Sequence, residues 1–193
     1  MKTQRIVISA PRRAELEEAD ISDLPLAPTE VLLRTHFSVI SPGTELAYYA
    51  GGQTLGHRGE PYPFSPGYAA VGEILAAGDE APTRVGDVVL AHTPHQSVAR
   101  FDTRRHVCVR VPEGVPSDLA TLARLAQVSA VSIRLMKARP GDRVAVTGLG
   151  LVGNLAAQLL GRAGVQVLGV EPLTERCRLA ERCGISETLD PTM

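Results

Sequence analysis

Residues 144–153 read Val-Ala-Val-Thr-Gly-Leu-Gly-Leu-Val-Gly. A short apolar run leads into the triplet Gly148-x-Gly150-x-x-Gly153, and apolar residues then recur at the spacing of one helical face. A strand, this triplet and a helix in direct succession predict a turn that binds the phosphates of a dinucleotide. We assign Gly148 to the tight turn, Gly150 to close approach of a pyrophosphate, and Gly153 to close packing of the helix on the strand.

Glu171 follows the second predicted strand, which spans Gln166 to Val170. An acid at this place accepts hydrogen bonds from the adenosine ribose and repels a 2′-phosphate, so NAD is favoured, with NADP as the alternative. The first helix, predicted to begin at Leu151 and Val152, offers its N–H groups to the phosphates. A glycine-rich turn in an ordinary β-α-β unit is the structural alternative for this segment.

The segment after residue 140 supplies only part of a dinucleotide-binding sheet, whose full strand order is 3-2-1-4-5-6. Strands 1 and 2 are present, and Glu187 to Leu189 could begin strand 3. No residues remain for strands 4 to 6, so we expect the first half (β-α-β-α) of a Rossmann domain, truncated within that domain. The unpaired edge of strand 1 leaves room for a homo-oligomer.

The composition is that of a globular protein, with 44% hydrophobic residues and 20 Lys and Arg against 21 Asp and Glu. This balance disfavours nucleic acid or an anionic membrane as a partner and favours a small molecule. The N-terminus lacks a signal-peptide core, and no stretch approaches the roughly 20 apolar residues of a membrane span. We therefore expect a cytoplasmic location.

The chain changes character near residue 115. Before it, short β-branched runs separated by Pro and Gly predict a β-barrel or sandwich. After it, Ser117 can cap a helix whose apolar residues recur at helical spacing through Leu135. We expect a β domain over 1–115, bridging helices over 116–139 and the partial Rossmann NAD(P)-binding domain over 140–193.

Five segments of the chain match one family in order. They are Glu30-Val31-Leu32-Leu33-Arg34 with Ser41-Pro42-Gly43-Thr44-Glu45-Leu46, Tyr62-Pro63-Phe64 with Pro66-Gly67-Tyr68 and Val71-Gly72-Glu73-Ile74, Val85-Gly86-Asp87-Val88-Val89, Val111-Pro112-Glu113-Gly114-Val115, and Pro140-Gly141-Asp142 through Glu171-Pro172. Together they resemble the medium-chain dehydrogenase/reductase superfamily, which includes alcohol dehydrogenases and quinone oxidoreductases. The resemblance implies a mixed β and α/β fold, a GroES-like β-barrel catalytic domain followed by a Rossmann domain. It also implies an NAD(P)-dependent oxidoreductase that transfers hydride between nicotinamide and an alcohol or carbonyl.

The sequence departs from the zinc-dependent members of this family. Where they carry a zinc-ligand cysteine, this chain has Ser41-Pro42, and where they carry a His-Glu pair, it has Gly67-Tyr68. The four-cysteine structural lobe is also absent, since the region from Leu90 to Val109 contains only Cys108. We expect no zinc, and the chain resembles the zinc-free branch of bacteriochlorophyllide-type and sugar or cyclitol-type dehydrogenases.

Thr44 falls on the family's proton-relay hydroxyl and is the best catalytic and cofactor-binding candidate by this resemblance. The alternative is that Ser41 or Thr44 only caps a helix predicted from Glu45 to Ala50. The relay's histidine partner would fall at Ala47, so a longer proton path must differ in this chain.

Other candidates depend on the resemblance or on isolated polar residues. Tyr68 could donate a hydrogen bond to substrate, although packing is favoured, and Ser129 lies near the family's contact with the nicotinamide amide. The pair His92-x-x-His95 invites a metal interpretation, which the intervening proline disfavours. His57, on a glycine-rich segment, could touch substrate, although a solvated loop histidine is favoured.

Three interpretations of the whole chain follow. We favour the N-terminal part of a longer zinc-independent oxidoreductase, which alone should bind NAD weakly and turn over no substrate. The alternatives are a naturally short, non-catalytic protein that binds a nucleotide or partner, and a degraded enzyme kept as an interaction module.

Overall fold

The computed structural model describes residues 1–52 and 62–192. The chain divides into two compact units, Met1–Leu122 and Ala123–Met193. His57 lies outside the described residues, so its contact with substrate stays a prediction.

The first unit is built from antiparallel strands. A hairpin joins β1 (Lys2–Ala10) to β2 (Arg13–Asp20). The other elements are β3 (Glu30–Ser38), α1 (Thr44–Tyr49), β4 (Ala70–Ala77), β5 (Val88–Ala91), β6 (Val98–Asp102) and β7 (Cys108–Arg110). These strands form a five-stranded sheet in the order β6-β3-β4-β5-β7. The β-rich character expected of this part is confirmed.

The core of the first unit lies on one face of this sheet. Val31 and Leu33 on β3 are fully buried, as is Ile74 on the neighbouring β4. They pack with Val89 on β5 and Phe101 on β6. Alternate residues of β3 point to opposite faces of the sheet, which explains why residues two apart share this core.

The second unit contains a parallel sheet with two helices. Its elements are β8 (Arg143–Thr147), α3 (Leu151–Arg162), β9 (Gln166–Val170), α4 (Thr174–Arg182) and β10 (Glu187–Leu189). The strand order is β10-β9-β8, with both pairs parallel. This order corresponds to strands 3-2-1 of a dinucleotide-binding fold, and it confirms the predicted β-α-β-α half with a third strand begun.

One long helix, α2 (Ser117–Met136), extends across the boundary between the two units. By length and composition alone it could cross a membrane, which corrects the expectation that no stretch approaches that size. A single such helix is weak evidence, because the core helix of a soluble protein passes the same test. Arg124 lies within it, and a charged side chain at the centre of a membrane-spanning helix costs about 2.5–3.5 kcal/mol.

Candidate functional site

The fold itself requires two of the three glycines of the phosphate turn. Gly148 has a φ of 82°, a left-handed conformation that favours glycine, and its N–H donates to the Val170 carbonyl of the adjacent strand at 2.8 Å. A Cβ on Gly153 would lie 1.8 Å from the Gly148 carbonyl oxygen. Any side chain at position 153 would therefore force α3 away from the turn.

Gly150 is different, because neither its backbone nor its packing requires glycine. Its φ is −64°, which other residues adopt readily. A Cβ there would meet only the Arg176 guanidinium, at 3.9 Å or more. Gly150 is also the N-cap of α3, where no side chain caps the helix. The surface over Gly150 is thus open, and the first N–H groups of α3, from Leu151 and Val152 onward, have no capping side chain.

The Glu171 carboxylate is bound to the same turn. Glu171 is 2% exposed; its Oε2 accepts the Leu149 N–H at 2.8 Å and its Oε1 accepts the Leu173 N–H at 3.1 Å. The hydrogen bond from Leu149 is the main reason that the pKa of Glu171 lies below its usual range, and Leu173 and Arg176 lower it further against the effect of burial. Glu171 is therefore a carboxylate that helps to hold the turn in shape.

Arg176 on α4 is the residue that the sequence reasoning did not find at this site. Its Nη1 lies 3.4 Å from Glu171 Oε2, and the side chain is half exposed. The same guanidinium is the nearest group to the open surface over Gly150. The sequence signal that could have identified Arg176 is its place five positions after Glu171, on the helix that follows the strand. Arg176 partly balances the charge with which Glu171 would repel a 2′-phosphate.

Ser129 lies in the interior of the second unit. It is 2% exposed, and its Oγ lies 2.9 Å from the Val152 carbonyl and 3.2 Å from the Leu125 carbonyl. The Ser129 hydroxyl donates its one proton to these carbonyls. Its contact with Val152 joins α2 to the first turn of α3. Its contact with nicotinamide stays a prediction that these hydrogen bonds do not favour.

In the first unit, Thr44 is the first residue of α1, and Gly43 is the N-cap with no side-chain hydrogen bond. The alternative that Ser41 or Thr44 caps this helix is therefore wrong. The backbone N–H of Glu45, the second residue of α1, donates to the Ser41 carbonyl at 3.2 Å rather than to a side-chain hydroxyl. Thr44 is half-buried, and its role as a relay hydroxyl stays a prediction.

Glu45 anchors a polar network in the interior of the first unit. Its Oε2 accepts the Ser41 N–H at 2.5 Å, and its Oε1 lies 2.8 Å from His95 Nε2. The other ring nitrogen, His95 Nδ1, lies 2.9 Å from Ser38 Oγ. Nothing in the sequence pairs these residues, which are up to 57 positions apart; the sheet brings them together.

Gly67 lies directly against this network. Its φ is 112°, and a Cβ there would lie 2.4 Å from the His95 backbone nitrogen. A histidine, or any other side chain, therefore cannot occupy position 67 unless the backbone moves. The next residue, Tyr68, is half-buried with its ring edge-on to His92 at 6.4 Å between ring centroids. This contact agrees with the packing alternative and leaves hydrogen bonding to substrate as a prediction.

His92 and His95 belong to different surroundings. His92 contacts the rings of Tyr68 and His106, whereas His95 faces Glu45 and Ser38. Within residues 1–52 and 62–192, no group of three or more His, Cys, Asp or Glu side chains is arranged to hold a metal ion.

No family model matches the chain, but curated relatives do. D-guloside 3-dehydrogenase of Shigella flexneri is 30% identical over 210 residues, which cover 97% of this chain and 59% of the relative. The 2-desacetyl-2-hydroxyethyl bacteriochlorophyllide A dehydrogenase of Cereibacter sphaeroides is 29% identical over 99% of this chain and 62% of the relative. The chain belongs to the medium-chain dehydrogenase/reductase superfamily.

Solved structures agree on the fold of this superfamily member. A mycobacterial protein complexed with NADPH matches with a TM-score of 0.78 at 20% identity, covering 97% of this chain and 58% of that protein. The chain thus spans about 60% of the length of the curated relatives that it matches.

Proposed function

We propose that this medium-chain dehydrogenase/reductase chain forms the cofactor-binding turn and part of the catalytic domain of a zinc-independent NAD(P)-dependent oxidoreductase. The reaction would transfer hydride between nicotinamide and an alcohol or carbonyl. When bound, the nicotinamide supplies or accepts the hydride, and the chain's own residues hold the cofactor and position the reacting oxygen.

The observation that carries this proposal is Gly150. At the N-terminus of α3, in the third position of the glycine triplet's turn, the missing side chain of Gly150 leaves the backbone open to close approach by a ligand. The uncapped N-terminus of α3 beside it offers N–H groups and a positive dipole end to a pyrophosphate.

The charges at the turn support NAD as the preferred cofactor, with NADP as the alternative. The Glu171 carboxylate is fixed where it would face the adenosine ribose, and a 2′-phosphate would meet its negative charge. Arg176 reduces this discrimination without abolishing it, because its guanidinium is half exposed and its pairing with Glu171 is long, at 3.4 Å.

Zinc independence is supported by the packing at Gly67. The resemblance places a zinc-ligand histidine there in the metal-dependent members, and the His95 backbone leaves no room for that side chain. Serine and proline at positions 41 and 42 likewise offer no thiolate.

A sugar-like or other polyhydroxylated alcohol is the proposed substrate class, supported by the relative that is named for acting on D-guloside. NADH formation from methyl D-guloside by the proposed longer oxidoreductase that contains this chain tests this class, and the control omits the guloside. Cofactor reduction that does not depend on the guloside would exclude it as the substrate.

A further inference from the structure

Three side chains of the first unit form a hydrogen-bonded chain from the surface to the interior. Ser38 is exposed, whereas His95 and Glu45 are only 5% and 4% exposed. Ser38 Oγ lies 2.9 Å from His95 Nδ1, and His95 Nε2 lies 2.8 Å from Glu45 Oε1. The three residues come from β3, the connection between β5 and β6, and α1.

A hydroxyl, an imidazole and a carboxyl group can each both accept and donate a proton. We propose that Ser38, His95 and Glu45 form an acid-base relay whose outer end is the Ser38 hydroxyl. The relay depends on the proposed function in one respect: the alcohol or carbonyl substrate is the molecule whose oxygen exchanges the proton with Ser38. The family resemblance gave no role to Ser38, His95 or Glu45, although Glu45 lies within one of the matching segments. The relay offers a proton path in a chain that has Ala47 at the relay-histidine position.

Glu45 is the fixed inner end of the relay. The Ser41 N–H holds its second oxygen at 2.5 Å, and within residues 1–52 and 62–192 its one ion-pair partner is His95. A buried carboxylate requires a hydrogen-bonding or charged partner, and the His95 ring nitrogen Nε2, at 2.8 Å, is that partner. Glu45 therefore orients the imidazole and stabilises its charged form, as the acid of a Ser-His-Asp triad does.

Ser38 is the end of the chain that meets water. On the other side, Glu45 and His95 border a cavity of about 240 Å³ whose lining includes Ile6, Ile8 and Leu46. The surface of this cavity is apolar, so the polar atoms of the pair do not open into it. Protons can therefore enter or leave the hydrogen-bonded chain through Ser38.

When a carbonyl is reduced, protons move from water through His95 and Ser38 to the substrate oxygen. The substrate oxygen takes the Ser38 hydroxyl proton while the carbonyl carbon receives hydride. The Ser38 oxygen takes the Nδ1 proton of the His95 imidazolium, and Glu45 stays ionised throughout. A proton from water then restores the imidazolium, and in alcohol oxidation each transfer runs in reverse.

Reaction with diisopropyl fluorophosphate tests whether His95 accepts the Ser38 proton, without cofactor or substrate. The Ser38 oxygen bonds to phosphorus, fluoride leaves, and the hydroxyl proton passes to Nδ1. Peptide mapping by mass spectrometry should find Ser38 labelled about 100-fold faster than the exposed Ser186, because general base catalysis contributes about 10²–10⁴-fold. Equal labelling of Ser38 and Ser186 would overturn the relay.

Matched variants separate the relay from a structural role. His95→Gln and Glu45→Gln should reduce Ser38 labelling to the rate of Ser186, with unchanged circular dichroism. His36→Gln removes an exposed histidine on the same strand and should have no effect; loss of labelling in this variant would assign the base to His36 instead.

If a variant does not fold, the solvent isotope effect on Ser38 labelling in the unmodified chain tests the relay instead. Labelling of Ser38 should be slower in D₂O than in H₂O, because a proton moves in the rate-limiting step; equal rates would contradict the relay. Cofactor titration is a separate experiment. Absent NAD binding with rapid Ser38 labelling would remove the proposed function and keep the relay, and the reverse result would remove only the relay.

Discussion

Among single residues, we expect Glu171 and Arg176 to determine whether the phosphate turn favours NAD or NADP. Glu171→Gln keeps an acceptor for the Leu149 N–H but removes the negative charge. With Arg176 then unopposed, NADP should gain affinity relative to NAD. Calorimetric titration of both cofactors measures the ratio of their dissociation constants. Glu175→Gln is the control, because it removes an exposed acid from α4, the helix that contains Arg176. A ratio that is the same in Glu171→Gln and in the unmodified chain would exclude the ribose role.

Glu171 also makes the stability of the turn depend on pH. Its pKa in the folded chain is lowered, chiefly by the Leu149 N–H. The stabilisation is therefore fully present above the pKa of the unfolded chain and is lost as the pH falls through the folded pKa. Urea unfolding of the unmodified chain and of Glu171→Gln should differ at neutral pH and converge in acid. A difference that stays constant with pH would show that the carboxylate charge contributes nothing.

At the scale of elements, α3 contains two glycines whose replacement should have opposite effects. Gly153→Ala places a Cβ 1.8 Å from the Gly148 carbonyl oxygen and should destabilise the chain by about 1–3 kcal/mol or more. Gly161 has nothing within 4 Å of its Cβ position, so Gly161→Ala should stabilise the helix by about 0.5–1 kcal/mol. Urea unfolding compares the two variants. Equal effects would mean that α3 does not pack on the turn as described.

The elements also show what sequence patterns can and cannot predict. The sequence pattern predicted the bounds of β9 and the first residue of α3, because β9 is an apolar run after Gly164 and α3 follows the glycine turn with an apolar, partly buried face. β2 was not predicted, because its sequence Arg-Ala-Glu-Leu-Glu-Glu-Ala-Asp is mostly charged and none of its side chains is fully buried. The network of Ser38, Glu45 and His95 could not be predicted, because it depends on the register of strands distant in sequence.

At the scale of the whole molecule, the central expectation for the first unit is chemistry without a metal. The backbone of Pro94 and His95 occupies the space that a histidine side chain at position 67 would need. Elemental analysis of the purified chain should find zinc well below one equivalent, and incubation with EDTA should leave its melting temperature unchanged. One bound zinc per chain, with loss of stability in EDTA, would contradict this expectation.

For the second unit, the strand order β10-β9-β8 and the turn at Gly148 to Gly153 correspond to one half of a dinucleotide-binding fold. We propose that this turn binds the cofactor's pyrophosphate. Gly150→Ala tests it most directly, because the added methyl group contacts only the end of Arg176 and should change the free energy of unfolding by no more than about 1 kcal/mol.

Calorimetric titration with NAD, of the unmodified chain and of Gly150→Ala side by side, is the decisive measurement. We expect weak but measurable binding to the unmodified chain and its loss in the folded variant, because the methyl group blocks the approach of the pyrophosphate. Binding of equal strength in both proteins, or no binding to the unmodified chain, would contradict this proposal.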